Sequence, residues 1–269
     1  RGTDRPAAER ETAIRWSKKL AKYGINAVRF HKFTYSGRGG LGSSEDSTRL
    51  DPDEFEKMDF FVSELRKRGI YTGWSAIYGH RLVEGDRGKV LAFDELKGGR
   101  TSGLVNFARD LQDIHIAVIV NMMNHRNPHT TLRYADDPSL AYIELQNEDD
   151  IFWGSTFEAI KRSPSYKQLL SRLFCSWLKD RYGSQEKLIE AWGPGAMDAW
   201  PDQQTGESLD KGNLAVIPHY WWYGPDGLKN QGPRLRRRLL DTARFLHETQ
   251  NAFYGRFIEA IRATGYKGA

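Results

Sequence analysis

The segment LAYIELQNEDDIFW, residues 140–153, combines the pattern of a buried strand with several chemically active side chains. Glu144 and Gln146 interrupt its apolar run, and Asn147 and Glu148 stand where the run ends. A carboxylic acid at a strand end, beside an amide, can exchange protons with a bound substrate. Asn147 and Glu148 are therefore the first candidates for a catalytic site.

A second group of polar side chains falls in INAVRFHKF, residues 25–33. The alternation of a strand separates this segment into two faces. One face is expected to pack and the other to carry chemistry. The first face holds Asn26, Val28 and Phe30, and the second holds Ile25, Ala27, Arg29 and His31.

Helices and strands alternate along the sequence and would hold these residues in place. Helical spacing of apolar residues predicts helices over 9–23, 51–69 and 110–124, the second capped by Asp51 with Pro52 in its first position. Residues 114–120 in the third also alternate like a strand. Strands follow at 25–33, 70–80 and 140–148, and such alternation favours a parallel sheet with helical crossovers.

A barrel explains the polar face of these strands better than an open sheet does. In a parallel β/α barrel the inward residues near the carboxyl ends of the strands line the active site. Tyr142, Glu144, Gln146 and Glu148 would share that inward face, with Glu148 at the rim. Later helices are predicted over 165–183, 184–193 and 233–264, and residues 194–232 are expected to form an extended functional loop or lid.

Composition narrows the possible functions. The 269 residues carry a formal net charge of +5, spread over many helices, and the dense RLRRR cluster at 234–238 is interpreted as a solvated helix start. No nucleic-acid partner is expected, because RLRRR is the only dense basic cluster in the sequence. No membrane partner is expected, because no apolar run approaches about 20 residues, and the first residues lack the apolar core of a signal peptide. The single Cys175 is predicted to be a buried inert thiol, and the histidines lack metal-ligand spacing.

Aromatic residues are abundant outside the periodic segments. Trp153, Trp200 and the run from Tyr220 to Tyr223 fall in predicted loops. Flat exposed rings suit ligands with apolar faces, such as sugars, although loop aromatics also seal hydrophobic edges. The two interpretations stay open at this point.

The order of GINAVRFH, RGIY, NPHT, YADDP and IELQNE resembles the cellulase-like glycoside hydrolases of clan A, over about residues 9–269. The resemblance implies a (β/α)8 barrel of the TIM type and a retaining mechanism. Its most specific element is Asn147-Glu148 at the end of the fourth strand. It further implies cleavage of a β-linked polysaccharide or oligosaccharide, no cofactor and no metal, and a secreted or periplasmic location.

The resemblance also implies roles for single residues. Glu148 would be the general acid/base, Asn147 would bind the sugar 2-hydroxyl, and Arg29 would hold the nucleophile ionised. A retaining enzyme needs two carboxyls about 5–5.5 Å apart, one with a pKa raised by burial or negative charge. Sugar subsites would be built from His31, Trp74, Tyr78, His80, Trp153, Trp221 and Trp222.

Several alternatives remain at the level of sequence. Glu148 could be a loop carboxylate before a helix cap at Asp149 or Asp150. Glu144 is expected to be structural, paired with a cation of the barrel, and Arg29 could be a plain ion-pair partner. His31 could instead make a hydrogen bond inside the core.

The expected nucleophile, a glutamate after strand seven, is not found in the sequence. Counting places the first strand before Arg1, and the chain from 1 to 269 is interpreted as one domain that holds about strands 2 to 4 or 5 of the barrel. Three explanations stay open: the chain is the N-terminal part of a longer enzyme, which is the favoured one, a second chain supplies the rest, or the strand count is wrong and the nucleophile lies within the chain. A catalytically incomplete carbohydrate-binding or scaffold protein is the main alternative, and a basic-surface nucleic-acid module is a third.

Overall fold

The structure is a computed structural model that describes residues 2–3, 7–37 and 39–269, with the backbone alone for Gly2, Thr3, Gly232 and Pro233. Its contacts divide the chain into two compact units, where the sequence predicts one domain. The sheet unit comprises Arg1–Thr101, Asp110–Asn147 and Tyr254–Ala269. The helical unit comprises Ser102–Arg109 and Glu148–Phe253.

Four parallel strands form the sheet in the order in which they occur along the chain. They are β1 (Gly2–Thr3), β2 (Ala27–His31), β3 (Tyr71–Ser75) and β4 (Leu140–Ile143). The predicted α/β class with parallel strands is thus confirmed. The first described strand lies at Gly2–Thr3, whereas the count placed no strand between Arg1 and β2.

The helices between the strands begin and end within three residues of the predicted bounds. They are α1 (Arg10–Lys22), α2 (Pro52–Arg66) and α3 (Arg109–Asn124). Asp51 caps α2 by accepting from the backbone nitrogens of Asp53 and Glu54, at 3.0 Å each. The strand-like alternation of residues 114–120 is overruled, since this segment is helical throughout.

The two faces of β2 differ as expected. Val28 and Phe30 are buried, whereas Arg29 and His31 keep part of their surface in solvent. Phe30 stacks on Phe61 of α2, with ring centroids 5.8 Å apart, and so joins strand to helix. The packing face thereby fixes the direction of the polar face.

β3 and β4 approach each other unusually closely at one point. Gly73 is the register partner of Tyr142, and a Cβ at position 73 would lie 2.1 Å from the Tyr142 ring. Because Gly73 has no side chain, the Tyr142 ring can occupy the space above it. Beyond β4, Ala269 donates to the Ala141 oxygen and accepts from the Ile143 nitrogen, each at 3.0 Å.

The described part of the helical unit contains three complete α-helices: α4 (Gly154–Arg162), α5 (Pro164–Tyr182) and α6 (Gln185–Trp192). α7 (Pro225–Ala263) begins eight residues before the predicted start at 233, so the last part of the predicted loop is helical. α4 was not predicted. Cys175 on α5 is buried, as expected, and burial raises the pKa of its thiol to about 11.

The interpretation of residues 234–238 as a solvated helix start was wrong in its position along the helix and for Arg238, whereas Arg234, Arg236 and Arg237 are exposed as expected. These residues lie inside α7, and the side chain of Arg238 is fully buried. It forms a two-pronged ion pair with Glu207, with both nitrogen–oxygen distances at 2.6 Å. Of the four arginines in the cluster, Arg238 thus belongs to the interior of the helical unit.

Within the described ranges, no helix combines the length and apolar character that crossing a bilayer requires. Among the same residues, no group of three or more His, Cys, Asp or Glu side chains is arranged to hold a metal ion.

Candidate active site

Arg29 and Glu144 meet at the carboxyl ends of β2 and β4, in the sheet unit. Arg29 Nη1 donates to both Glu144 carboxylate oxygens, at 2.9 and 3.1 Å. It also reaches Asn147 Oδ1 at 3.4 Å. Arg29, Glu144 and Asn147 are hereafter the rim cluster. The expectation that Glu144 pairs with a cation is confirmed.

The rim cluster stays open to solvent. The side chains of Arg29 and Glu144 are 34% and 28% exposed. Partial burial raises the pKa of the neighbouring Tyr142 phenol. In parallel sheets, ligands bind outside the carboxyl ends of the strands. The position and openness of the cluster therefore suit a ligand.

His31 and Tyr78 form a second feature of the same rim. Their rings stack at 5.0 Å between centroids, and the ammonium of Lys32 lies 4.8 Å from the Tyr78 ring centre. Lys32 has a φ of 55°, in the left-handed region that a lysine rarely adopts. His31 and Tyr78 are partly exposed, so both can contact a ligand at the rim.

Trp74 and His80 are inside the sheet unit, which corrects their predicted place at a sugar-binding surface. Trp74 is 1% exposed and packs edge-on against Tyr134. His80 is 3% exposed, and its Nδ1 lies 3.1 Å from the backbone oxygen of Thr34. Their rings serve the core, because neither has a face available to solvent.

His80 and His115 form a buried histidine pair. Their ring centroids are 4.6 Å apart, and His115 Nε2 lies 2.8 Å from the Thr101 hydroxyl. Burial lowers the pKa of His80 to about 4, against the opposing effects of the Thr34 oxygen and the Asp86 carboxylate. Burial also brings the pKa of His115 well below its usual value. Both rings are therefore neutral at pH 7.

Glu148 belongs to the helical unit, and its surroundings differ from those expected. β4 ends at Ile143, and Glu148 has a φ of 52°, so the strand alternation does not extend to it. Its side chain is exposed and not buried. Glu148 is thus an exposed loop carboxylate, as one alternative had it, but the helix cap which that alternative placed at 149 or 150 was wrong, because α4 begins only at Gly154.

Asp149, which the sequence analysis did not select as a catalytic residue, is a carboxyl in partly buried surroundings. Burial raises its pKa, and the neighbouring carboxylates of Glu148 and Asp150 add to the rise, while hydrogen bonds from Ser155 and Ser102 oppose it. Asn106 also donates to the Asp149 backbone oxygen at 2.9 Å. The run of four polar residues at 147–150 was the signal that could have included Asp149.

The helical unit also carries a group of aromatic side chains, called the aromatic surface. Three of its members, Trp153, Trp221 and Trp222, were predicted from the sequence. Its full set is Trp153, Phe157, His219, Tyr220, Trp221 and Trp222. A cavity of about 310 Å³ is lined by Gly154, Phe157, Glu158, His219, Trp221 and Trp222. His219 and Tyr220 were missed individually, although the run of four rings at 220–223 marked the segment.

A scan against models of protein families finds no match. Two curated relatives are similar in sequence. Mannan endo-1,4-beta-mannosidase 3 of Oryza sativa subsp. japonica is 23% identical over 283 residues, which cover 93% of this chain and 56% of that protein. Mannan endo-1,4-beta-mannosidase 7 of Arabidopsis thaliana is 27% identical over 130 residues, or 48% of this chain and 30% of that protein.

Two solved structures show a weaker similarity. The endo-1,4-beta-mannanase from Rhizomucor miehei has a TM-score of 0.45 and 15% identity, covering 66% of this chain and 52% of that one. The endo-beta-1,4-mannanase from Thermotoga petrophila has a TM-score of 0.41 and 15% identity, covering 63% and 39%.

The chain thus spans about half the length of the first curated relative, 56% of it. The sequence match nevertheless runs through nearly all of this chain and includes the strands that bear the rim cluster. The resemblance to glycoside hydrolases is therefore confirmed, and the relatives that carry it are named as mannan endo-1,4-beta-mannosidases.

Proposed function

We propose that this chain is part of a retaining glycoside hydrolase that cleaves β-1,4-linked mannan or a closely related polysaccharide. The observation that carries the proposal is the sequence similarity over 93% of the chain to a mannan endo-1,4-beta-mannosidase. Because the match covers only part of that relative, its activity is transferred here as a proposal.

The sheet belongs, in this proposal, to a (β/α)8 barrel. Strands of a barrel follow one another in chain order, whereas doubly wound sheets reverse their order at a switch point. The observed order β1-β2-β3-β4 has no reversal among the described residues. The polar face of β2, with Arg29 and His31, supports the same fold.

Glu148 is proposed as the general acid/base, which first protonates the leaving glycosidic oxygen and then deprotonates water. Its exposure leaves the carboxyl accessible, and its left-handed backbone supports the assignment because strained residues cluster at functional sites. Asn147 would bind the sugar 2-hydroxyl, and Arg29 would orient Asn147. A retaining mechanism also requires a nucleophilic carboxylate, for which the proposal names no residue.

The first experiment compares hydrolysis of soluble β-1,4-mannan by the wild-type protein and by Glu148→Gln. General acid/base catalysis typically contributes about 10²–10⁴-fold, so turnover should fall by that factor. On an aryl mannoside with an activated leaving group the loss should be much smaller, because that group leaves without protonation. Added azide should partly restore turnover of the aryl substrate.

Asp149→Asn is the matched control, since it removes the adjacent carboxyl, whose pKa is raised. It should lack the leaving-group dependence and the azide rescue. If Asp149→Asn shows both and Glu148→Gln shows neither, the acid/base role belongs to Asp149. Polysaccharide binding without turnover by the wild-type protein would favour the binding or scaffold alternative.

A further inference from the structure

Three large aromatic side chains of the helical unit are unusually exposed. Trp153, Tyr220 and Trp221 are 47%, 53% and 45% exposed. Large apolar groups that lie together on a surface indicate a place where something binds. They all belong to the aromatic surface, so the exposure is concentrated in one place.

The rings are arranged in two directions. Trp153 stacks on Tyr220 at 5.6 Å and 25°, and Tyr220 stacks on His219 at 4.7 Å and 27°. Trp221 and Trp222 are perpendicular, at 88°. His219, Trp221 and Trp222, together with Gly154, Phe157 and Glu158, line the open cavity of about 310 Å³. The aromatic surface therefore consists of a row of three nearly parallel rings, Trp153, Tyr220 and His219, and a cavity that His219 also lines.

Backbone contacts hold this arrangement in place. The Tyr220 nitrogen donates to the Phe152 oxygen at 2.7 Å, and the Tyr223 hydroxyl donates to the Ile217 oxygen at 2.7 Å. His219 Nδ1 accepts from the Trp221 nitrogen at 3.2 Å. Ligand binding would therefore need little reordering of the loop, which favours affinity.

Gly154, at the start of α4, lines the cavity and leaves free the space that a side chain at this position would occupy. A Cβ at this position would lie 3.4 Å from His219 Nε2, and larger side chains would extend further toward the imidazole. Position 154 thus sets how much of the cavity a ligand can use.

We propose that the aromatic surface is a polysaccharide-binding site of the helical unit, where pyranose rings lie against Trp153 and Trp221. A pyranose has an apolar face that matches a flat ring and hydroxyls at its edge. Glu158, whose side chain is 56% exposed, and the His219 imidazole supply hydrogen-bonding groups at the cavity. The ligand class, a neutral β-linked polysaccharide, rests on the proposed function.

A polyanion such as a nucleic acid fits this surface less well. Single strands also stack bases on aromatic rings, but they require a positive groove for the phosphates. Glu158 is the charged group lining the cavity, and Lys161 is bound to it at 3.0 Å. A neutral sugar chain makes no such demand.

The test is affinity electrophoresis in gels that contain soluble β-1,4-mannan, with gels that lack polysaccharide as reference. Glu148→Gln serves as the parent so that the polysaccharide is not cut during the run. Trp153→Ala and Trp221→Ala are compared in that parent. Each should weaken retention by about three- to tenfold, the range expected for one aromatic contact.

Tyr23→Ala, in the same parent, is the matched control because Tyr23 is 70% exposed and lies in the sheet unit. It should be retained like the parent. Thermal unfolding of each variant separates lost binding from lost folding, and exposed rings are expected to change it little. Retention of Trp153→Ala and Trp221→Ala equal to that of Tyr23→Ala would overturn the inference.

The outcome also separates this inference from the proposed function. Retention that depends on the aromatic surface, with no hydrolysis by the wild-type protein, would support the site and refute the hydrolase. Hydrolysis by the wild-type protein with equal retention of all variants would refute the site and leave the hydrolase supported.

Discussion

Two arginine–glutamate pairs, one in each unit, use the same residue types in opposite environments. Arg29 and Glu144 keep about a third of their side-chain surface in solvent, whereas Arg238 and Glu207 are 0% and 1% exposed. Water competes with the first pair and not with the second. The open pair can exchange a partner for a ligand, and the buried pair is fixed.

Further contacts of Arg238 and Glu207 hold the buried pair more firmly than the open pair is held. Arg238 also donates to the backbone oxygens of Ala196 and Ala215, and its guanidinium lies 4.5 Å from the Trp200 ring centre. Glu207 accepts from the Ala215 and Asp198 nitrogens, at 2.7 Å each. The pair therefore ties the loop before α7 to the helix.

Breaking the buried pair should give the largest effect on stability. Arg238→Met leaves the Glu207 carboxylate buried without its cation, which typically costs about 3–5 kcal/mol of unfolding free energy. Urea unfolding followed by tryptophan fluorescence would measure it. Six of the eight tryptophans, at 153, 177, 192, 200, 221 and 222, lie in the helical unit and report on it.

Removing both charges together sharpens the comparison. Arg238→Met combined with Glu207→Leu should recover much of that loss, because no charge is left buried alone. A double variant no more stable than Arg238→Met would mean that the backbone hydrogen bonds, and not the uncompensated charge, account for the cost.

The sheet unit contains its own buried polar groups, and they predict a pH effect of intermediate size. The pKa of His80 is about 4 in the folded protein and about 6.5 when unfolded, so the unfolded chain binds protons first as pH falls. Stability should therefore fall between about pH 6.5 and pH 4, by about 2–3 kcal/mol. Hydrogen exchange of the β2 and β3 amides at pH 7.5, 5.5 and 4.5 would measure this change.

His80→Gln is the comparison for that measurement, since glutamine does not titrate. Its acid-dependent loss should be smaller than that of the wild type. An identical loss would assign the acid sensitivity of the sheet unit to other groups.

Breaking the open pair should have the smallest effect on the unfolding free energy, but it should lower turnover clearly. Arg29→Met should change the unfolding free energy by less than about 1 kcal/mol, because partly exposed pairs contribute little. Its turnover of β-1,4-mannan should nevertheless fall by about 10–100-fold, since Asn147 loses the group that orients it. Hydrolysis rates and urea unfolding of the same protein would measure both.

Arg10→Met is the matched control for that variant, because Arg10 pairs with Glu56 in the same unit and both are more exposed. It should change neither quantity. Equal effects of the two substitutions on turnover would remove any special role for Arg29.

The sequence predicted the features that depend on neighbouring residues. The Asp51 cap, the end of α1 before Gly24 and the two faces of β2 all follow from local rules of capping and periodicity. Their structure is as expected because no distant contact opposes those rules.

The errors concern contacts between distant residues. Nothing around 234–238 indicates that Glu207 will bury Arg238, and Trp74 and His80 look like surface candidates until the packing around them is known. Glu148 illustrates the same limit, because strand alternation predicted an inward carboxyl although the strand ends at Ile143. Burial is a property of the whole fold, so local patterns predicted it least well.

The close approach of Gly73 and Tyr142 limits which substitutions these two positions can accept during evolution. Any side chain at position 73 would collide with the Tyr142 ring, and a smaller residue at 142 would leave a void above Gly73. Neither position can be altered alone without a penalty, so the two are expected to covary among relatives, with a bulkier residue at 73 appearing only beside a smaller one at 142.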